Sequence, residues 1–236
     1  MSKKKLSRFK ELSGFDNTFE PEFSDVFSQN YFLKGKWNAE VFKNNNPIIL
    51  ELGCGKGEYT IGLAKHFPGK NFIGIDIKGA RMWRGAKTAI EESIKNVRFI
   101  RTRIEHISSF FAPEEIDEIW LTFPDPQAKD RRYKKRLSSS RFLSAYQKVL
   151  KEKGIVHLKT DSKLLHDYTV QLADYNKIKI LECTSDLYNS ALNGPVKEIQ
   201  TFYETQFLQK GMPITYLKLE LPTELNIVEN PDYENG

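Results

Sequence analysis

The sequence predicts an α/β fold, a doubly wound, mostly parallel sheet of seven strands. Three observations predict it. Short apolar runs alternate with helix-length amphipathic segments almost to the end of the chain. The first clear run, Ile48 to Leu52, passes straight into a Gly-x-Gly-x-Gly turn at Gly53, Gly55 and Gly57 and then into a helical pattern, the local grammar of a βαβ unit. A long connection precedes the seventh run, at 214–221.

Each element has its own signal. Residues 48–52 read as a buried strand and 59–66 as the helix after the turn. Residues 71–76 form a second short apolar strand that ends in Asp76. Residues 78–93 read as a helix with one buried face carried by Met82, Trp83, Ala86, Ala89 and Ile90. Strands follow at 97–100, 116–123 and 154–159, with a short helical or irregular stretch at 104–111 and helices at 137–152 and 162–174. The last two strands fall at 177–183 and 214–221, around a helical pattern at 198–210. No internal repeat or linker divides the chain, so residues 19–236 are expected to form a single domain. Residues 1–18, with Lys3, Lys4, Lys5, Arg8 and Lys10, are expected to be a flexible basic tail. Phe27, Tyr31, Phe32 and Trp37 are expected to pack as a lid or edge over the core.

Composition narrows the class. A chain of 236 residues is long enough for one α/β domain with its own core. Hydrophobic content of 39% and charged content of 28% describe a soluble globular protein, and a net charge of +5 leans toward a polyanionic partner. Cys54 and Cys183 are too few for a disulfide framework or a zinc site, so no metal is expected. No apolar run reaches the roughly 18 residues of a membrane span, and the basic N-terminus lacks the apolar segment of a signal peptide. A cytoplasmic location without membrane contact is expected.

The chemistry concentrates at strand ends. Glu51 precedes the glycine turn. Asp76 closes the second strand, where a carboxylate can accept from both hydroxyls of a ribose. Asp125 follows the fourth strand between Pro124 and Pro126, which stiffen the turn. Asp161 follows the fifth strand and is also placed to cap the next helix. In open α/β sheets, ligands bind at these carboxyl ends. The third glycine stands one residue early for a dinucleotide fingerprint, and Glu51 repels phosphate. The pattern therefore suits a nucleoside cofactor with a free ribose and a cationic end, as in S-adenosylmethionine. The run from Lys129 to Arg136 has six basic residues against one acid, and Tyr133 within it is placed to stack on a base.

Four stretches in this order carry a more specific resemblance: Glu51-Leu52-Gly53-Cys54-Gly55-Lys56-Gly57, Phe123-Pro124-Asp125-Pro126 with its basic run, Leu158-Lys159-Thr160-Asp161, and Thr201-Phe202-Tyr203-Glu204 followed by Gly211-Met212-Pro213-Ile214. With them the chain resembles the bacterial tRNA (guanine-N7-)-methyltransferases from about Phe19 onward. The resemblance implies a class I methyltransferase fold, Rossmann-like, with the last of seven strands antiparallel. It implies S-adenosylmethionine as methyl donor and tRNA as partner, with N7 of a guanosine in the variable loop, position 46, as acceptor. Glu51, Gly53, Gly55, Asp76, Arg103 and Asp125 would then hold the cofactor, with Asp125 catalytic. Lys129, Asp161, Thr201, Phe202, Tyr203 and Glu204 would meet the substrate, and Asp161 or Glu204 would accept from guanine N1–H and its exocyclic amine. A monomer or homodimer is expected.

Two positions depart from the family pattern. Gln127 stands where a tryptophan is common. Arg103 stands where an Asp or Asn usually meets the adenine; arginine has no acceptor, so a neighbouring backbone carbonyl is expected to serve. The competing readings are a tRNA-binding protein without catalysis, a methyltransferase acting on another RNA or on a small molecule, and a nicotinamide-dependent dehydrogenase, for which none of the four histidines offers a proton donor.

Overall fold

The computed structural model describes residues 3–22 and 30–233. Its strands are β1 (Thr18–Phe19), β2 (Ile48–Leu52), β3 (Asn71–Asp76), β4 (Val97–Arg101), β5 (Ile116–Thr122), β6 (Leu150–Thr160), β7 (Lys179–Thr184) and β8 (Thr215–Leu221). They form one sheet in the order β1-β4-β3-β2-β5-β6-β8-β7. All neighbours are parallel except β8, which runs antiparallel to both β6 and β7. The antiparallel last strand is as expected, but the strand count is eight. The extra member is β1, whose two residues pair with Phe99 and Ile100 on the edge and are too short to leave a periodic signal.

The helices are α1 (Lys3–Leu12), α2 (Glu58–His66), α3 (Gly79–Glu91), α4 (Ile107–Phe110), α5 (Ser140–Gln147), α6 (Lys163–Tyr175), α7 (Pro195–Glu198) and α8 (Phe202–Gln209). The predicted helix at 137–152 is shorter because the Lys-Glu-Lys-Gly segment after Leu150 already belongs to β6. The predicted helix at 198–210 is two helices, since Thr201 turns out of the first and caps the second.

All five residues of β2 are buried, and strand alternation sends them to two cores. Leu50 and Leu52 join Ile73, Ile75, Phe110, Tyr146 and Tyr168 on one face. Ile49 joins Tyr59, Leu63, Phe72, Phe99 and Trp120 on the other. By the same alternation Glu51 points with Ile49, toward α2. The chain leaves β2 toward β3 on one side and later returns to β5 on the other. The crevice above β2 and β5 is therefore the topological switch point, where open α/β sheets bind ligands.

The N-terminal segment differs from its expectation as a flexible tail. Residues 3–12 form α1, which packs along α3. Leu12 is fully buried, Glu11 bridges Lys87 at 2.7 Å and accepts from Trp83 Nε1 at 2.8 Å, and the Arg101 guanidinium lies 4.7 Å from the Phe9 ring centroid. Phe9 and Leu12, three residues apart, give a basic helix the one apolar edge it needs. Of the expected lid, Tyr31 and Trp37 are core residues, Phe32 is exposed, and Phe27 lies outside the described residues.

Candidate active site

The glycine turn is built to bring backbone close to a ligand. Gly53, Gly55 and Gly57 all have positive φ (81°, 55° and 72°), a conformation that costs an L side chain. At Gly57 there is also no room, since a Cβ would stand 2.7 Å from the Phe99 ring. The turn is tied to β3: the amides of Gly53 and Cys54 donate to the Ile75 carbonyl, and the amide of Gly55 donates to Asp76 Oδ2 at 2.9 Å. Asp76 Oδ1 accepts from the Lys78 amide at 2.7 Å. One carboxylate thus fixes both lips of the turn at the cleft. The Cys54 thiol beside it is buried, which pushes its pKa up and keeps it a packed, protonated residue.

Glu51 forms the floor. It is 3% exposed. One oxygen accepts from the amide and hydroxyl of Thr60, in the first turn of α2, and the other accepts from the Thr122 hydroxyl at the end of β5. Burial raises its pKa to about 7 against the pull of these donors. Glu51 therefore reaches the cleft already engaged by three protein donors, rather than as a free carboxylate.

Asp125 stands opposite, exposed in a backbone held at several points. Phe123 (φ 48°) and Gln127 (φ 45°) flank the Pro-Asp-Pro segment in the left-handed region, which costs roughly 1–3 kcal/mol per residue and marks an over-determined loop. The Phe123 amide donates to the Lys159 carbonyl at 2.8 Å, and the Gln127 amide donates to Asp125 Oδ1 at 3.0 Å. Arg136 clamps the segment from below. Its Nε donates to the Pro126 carbonyl at 3.2 Å and its Nη2 to the Gln127 carbonyl at 3.5 Å, with the guanidinium 4.4 Å from the Tyr168 ring centroid. Arg136 is 1% exposed and Tyr133 7%. These two members of the basic run serve the protein interior, which corrects the expectation that the whole run faces phosphate and that Tyr133 stacks on a base. Lys129 is exposed on the loop that leads away from the cleft.

Asp161 lines the cleft. The cap of α6 is Ser162, whose hydroxyl accepts from the Leu165 amide, so the Asp161 carboxylate is left for another partner. Partial burial raises its pKa.

The segment 201–204 divides between two roles. Thr201 and Glu204 form a capping box at the start of α8: the Glu204 amide donates to Thr201 Oγ1, and the Thr201 amide donates to Glu204 Oε2. Glu204 is fully buried, with Oε1 2.6 Å from Lys159 Nζ and 2.7 Å from the Tyr188 hydroxyl. It has no path to a guanine, and this corrects its expected contact with substrate. The Thr-x-x-Glu spacing is itself a helix-start signature in the sequence. Tyr203 and the wall of Thr201 line the cleft, while Phe202 is half exposed on the rim with Lys56 Nζ 4.2 Å from its ring centroid.

These elements enclose a cleft of about 440 Å³. It brings together Glu51, Gly53, Gly55, Asp76, Asp125, Asp161, Thr201 and Tyr203, all expected from the sequence. A second hollow shares Gly53 and Asp76 and is walled by Ile77, Thr102, Ile104, Glu105 and Arg103. Arg103 thus lines the same hollow as Asp76 and is exposed. Sequence reasoning missed the aromatic wall, Phe123 stacked on Phe207 at 6.0 Å. The signal available was the spacing of Tyr203 and Phe207, which share a helix face at i, i+4.

Comparison with known proteins agrees with this architecture. The family described as "Putative methyltransferase" matches residues 45–217. Among solved structures, the 16S rRNA methyltransferase KamB superposes with a TM-score of 0.60 at 12% identity, covering 78% of this chain and 92% of that one. The 16S rRNA (adenine(1408)-N(1))-methyltransferase of Catenulisporales acidiphilia, in a variant solved with its cosubstrate SAM, gives 0.52 at 15% identity, covering 80% and 91%. At these identities the likeness is one of fold. Sequence relatives are far nearer. A tRNA (guanine-N(7)-)-methyltransferase of Christiangramia forsetii is 53% identical across 93% of this chain and 99% of its own length. One of Bacteroides thetaiotaomicron is 47% identical across 99% and 92%. Identity of this order, over nearly the full length of both chains, leaves one assignment: the chain belongs to the tRNA (guanine-N(7)-)-methyltransferase family.

Proposed function

We propose that this protein transfers the methyl group of S-adenosylmethionine to N7 of a guanosine in tRNA, at position 46 of the variable loop, acting in the cytoplasm as a monomer or homodimer. The observation that carries the reading is the cleft at the switch point, where Asp125, Asp161 and Tyr203 face Asp76 and the glycine turn.

The residues fit the cofactor. Glycines in left-handed backbone clear a close approach, Asp76 stands where a ribose diol needs an acceptor, and Glu51, Glu58 and Asp125 give the cleft the negative lining that a sulfonium and an ammonium require. When bound, S-adenosylmethionine supplies an electrophilic methyl group. Guanine N7 has an in-plane lone pair and no proton to lose, so the protein needs no strong base. Its work is placement, which is worth roughly 7–11 kcal/mol in favourable cases. Asp125, held by two prolines and two left-handed residues, supplies a fixed negative charge against the cation that N7 methylation creates. Asp161, free of capping duty, accepts from guanine N1–H and the exocyclic amine. Phe123, Phe207 and Tyr203 wall off water and offer faces for the base.

Incubation with labelled S-adenosylmethionine and unmodified tRNA transcript tests the proposal, with borohydride–aniline cleavage to locate N7-methylguanosine. A cut in the variable loop is expected. Label on another base would overturn the acceptor, and tRNA binding without label would favour a non-catalytic binder.

A further inference from the structure

The face formed by α1 and the start of α3 carries positive charge that the site described above does not use. α1 runs parallel to α3: the Phe9 ring sits 2.9 Å from where a Cβ on Gly79 would be, while Glu11, farther along α1, reaches Trp83 and Lys87. Lys5 lies one helical turn before Phe9, about 6 Å farther along the axis. α1 therefore overhangs the N-terminal end of α3, the end where Lys78 and Arg81 line the cleft.

The acids on this face are already neutralised. Glu11 pairs with Lys87 at 2.7 Å, Glu91 with Arg84 at 2.6 Å, and Glu20 with Arg101 at 2.9 Å. Among the described residues the side chains of Lys5, Arg8, Lys78 and Arg81 make no ion pair; Arg8 instead lies 4.7 Å from the Trp83 ring centroid. A cation over an aromatic face keeps its charge and its outward N–H groups available. The result is a cationic strip, held in place by packing, that runs from the mouth of the cleft out over α1.

We propose that this strip is a phosphate-binding surface that seats the tRNA backbone next to the nucleotide entering the cleft. This rests on the function proposed above. The strip is continuous with the cleft, so a chain whose base enters the cleft has its phosphates within reach, and lysine and arginine contacts there position without reading sequence. A lipid surface fits less well. A basic helix that lies on a membrane needs a free apolar face, and in α1 Phe9 and Leu12 are committed to the protein, with Leu6 alone exposed.

The test is steady-state methyl transfer by the full chain to unmodified tRNA transcript, comparing wild type with Lys5→Ala and with Lys5→Glu/Arg8→Glu. We expect the double variant to raise KM for tRNA by about tenfold near 50 mM salt, with the gap closing as salt rises, because each lost phosphate contact removes about one unit from the salt slope. Its kcat at saturating tRNA and its KM for S-adenosylmethionine stay at wild-type values. Lys5→Ala, at an exposed side chain without an ion-pair partner, shows the same effect at about two- to threefold, and Trp83 emission reports that α1 is still docked. An unchanged tRNA KM in both variants overturns the inference, as does an effect confined to the double variant, which would mean that replacing Arg8 over Trp83 had undocked α1. Wild type that fails to methylate tRNA would instead sink the proposed function.

Discussion

Lys159 and Glu204 form a fully buried ion pair, 2.6 Å apart, directly beneath the cleft. Lys159 Nζ also donates to the Ile199 carbonyl at 3.0 Å and lies 5.1 Å from the Tyr59 ring centroid. Burial pulls the lysine pKa down and Glu204 pulls it back up. The pair ties β6 to the start of α8, and so fixes where Thr201, Tyr203 and Phe207 stand. Truncating Lys159 to Met leaves a buried carboxylate without its cation, a loss on the order of 3–5 kcal/mol. Urea denaturation should show that loss, and Lys159→Met/Glu204→Gln should recover a large part of it. A single variant as stable as wild type would contradict the pair's role.

Glu51 predicts opposite effects on stability and on cofactor binding. Its folded pKa, about 7, lies above the ordinary carboxylate value of 4.5, so the folded state holds the proton more tightly than the unfolded chain. Its contribution to stability is fully present below the unfolded value and is lost as pH rises through 7, an order of about 3 kcal/mol by linkage. Glu51→Gln keeps an acceptor for Thr60 and turns a donor toward Thr122, so it should raise thermal stability at pH 8. The same change removes negative charge from the cleft and should weaken S-adenosylmethionine binding. In wild type, cofactor affinity should fall as pH drops below 7. Calorimetric titration at pH 6 and 8 measures both; pH-independent affinity would show that Glu51 charge does not contribute.

Asp125 is exposed and outside the core, so Asp125→Ala should fold normally. The loss of a fixed charge aimed at a developing ion costs about 10²–10³ in kcat. Single-turnover methylation with saturating cofactor and tRNA isolates that step, and normal turnover would remove Asp125 from its central place. Asp161→Asn is the companion measurement: it should lower kcat/KM for tRNA through guanine recognition, whereas Glu204→Gln should act on stability.

How far the sequence carries the reader differs from residue to residue. Glu51, Asp76, Asp125 and Asp161 are legible because they end apolar runs, and the end of a parallel strand has only one place to be in a doubly wound sheet. What their side chains do is less legible. Glu51 is drawn inward by Thr60 and Thr122, nine and seventy-one positions away, and no local pattern encodes that distance. Glu204 reads as a substrate contact beside Phe202 and Tyr203, which are exposed, yet helix geometry turns it inward onto Lys159. α1 is hidden by its own lysines, since charge density reads as solvation unless the Phe9–Leu12 spacing is weighed against it.

Arg136 gives the last prediction. A buried guanidinium that donates to the carbonyls of Pro126 and Gln127 acts on Asp125 through the backbone, as a positioning residue. Lysine keeps the charge but is a point donor on a flexible stem, and it cannot hold two successive carbonyls while lying flat against Tyr168. Arg136→Lys should therefore lower the melting temperature modestly and lower kcat for tRNA more than it changes the affinity for S-adenosylmethionine. Arg136→Met removes both hydrogen bonds, each worth about 1.5–3 kcal/mol when a charged group is involved, and should cost more stability. If Arg136 met tRNA phosphate instead, the two variants would raise the tRNA KM in a salt-dependent way and leave stability unchanged. Thermal melts together with the split between kcat and KM distinguish the two roles, and a residue 1% exposed to solvent belongs to the first.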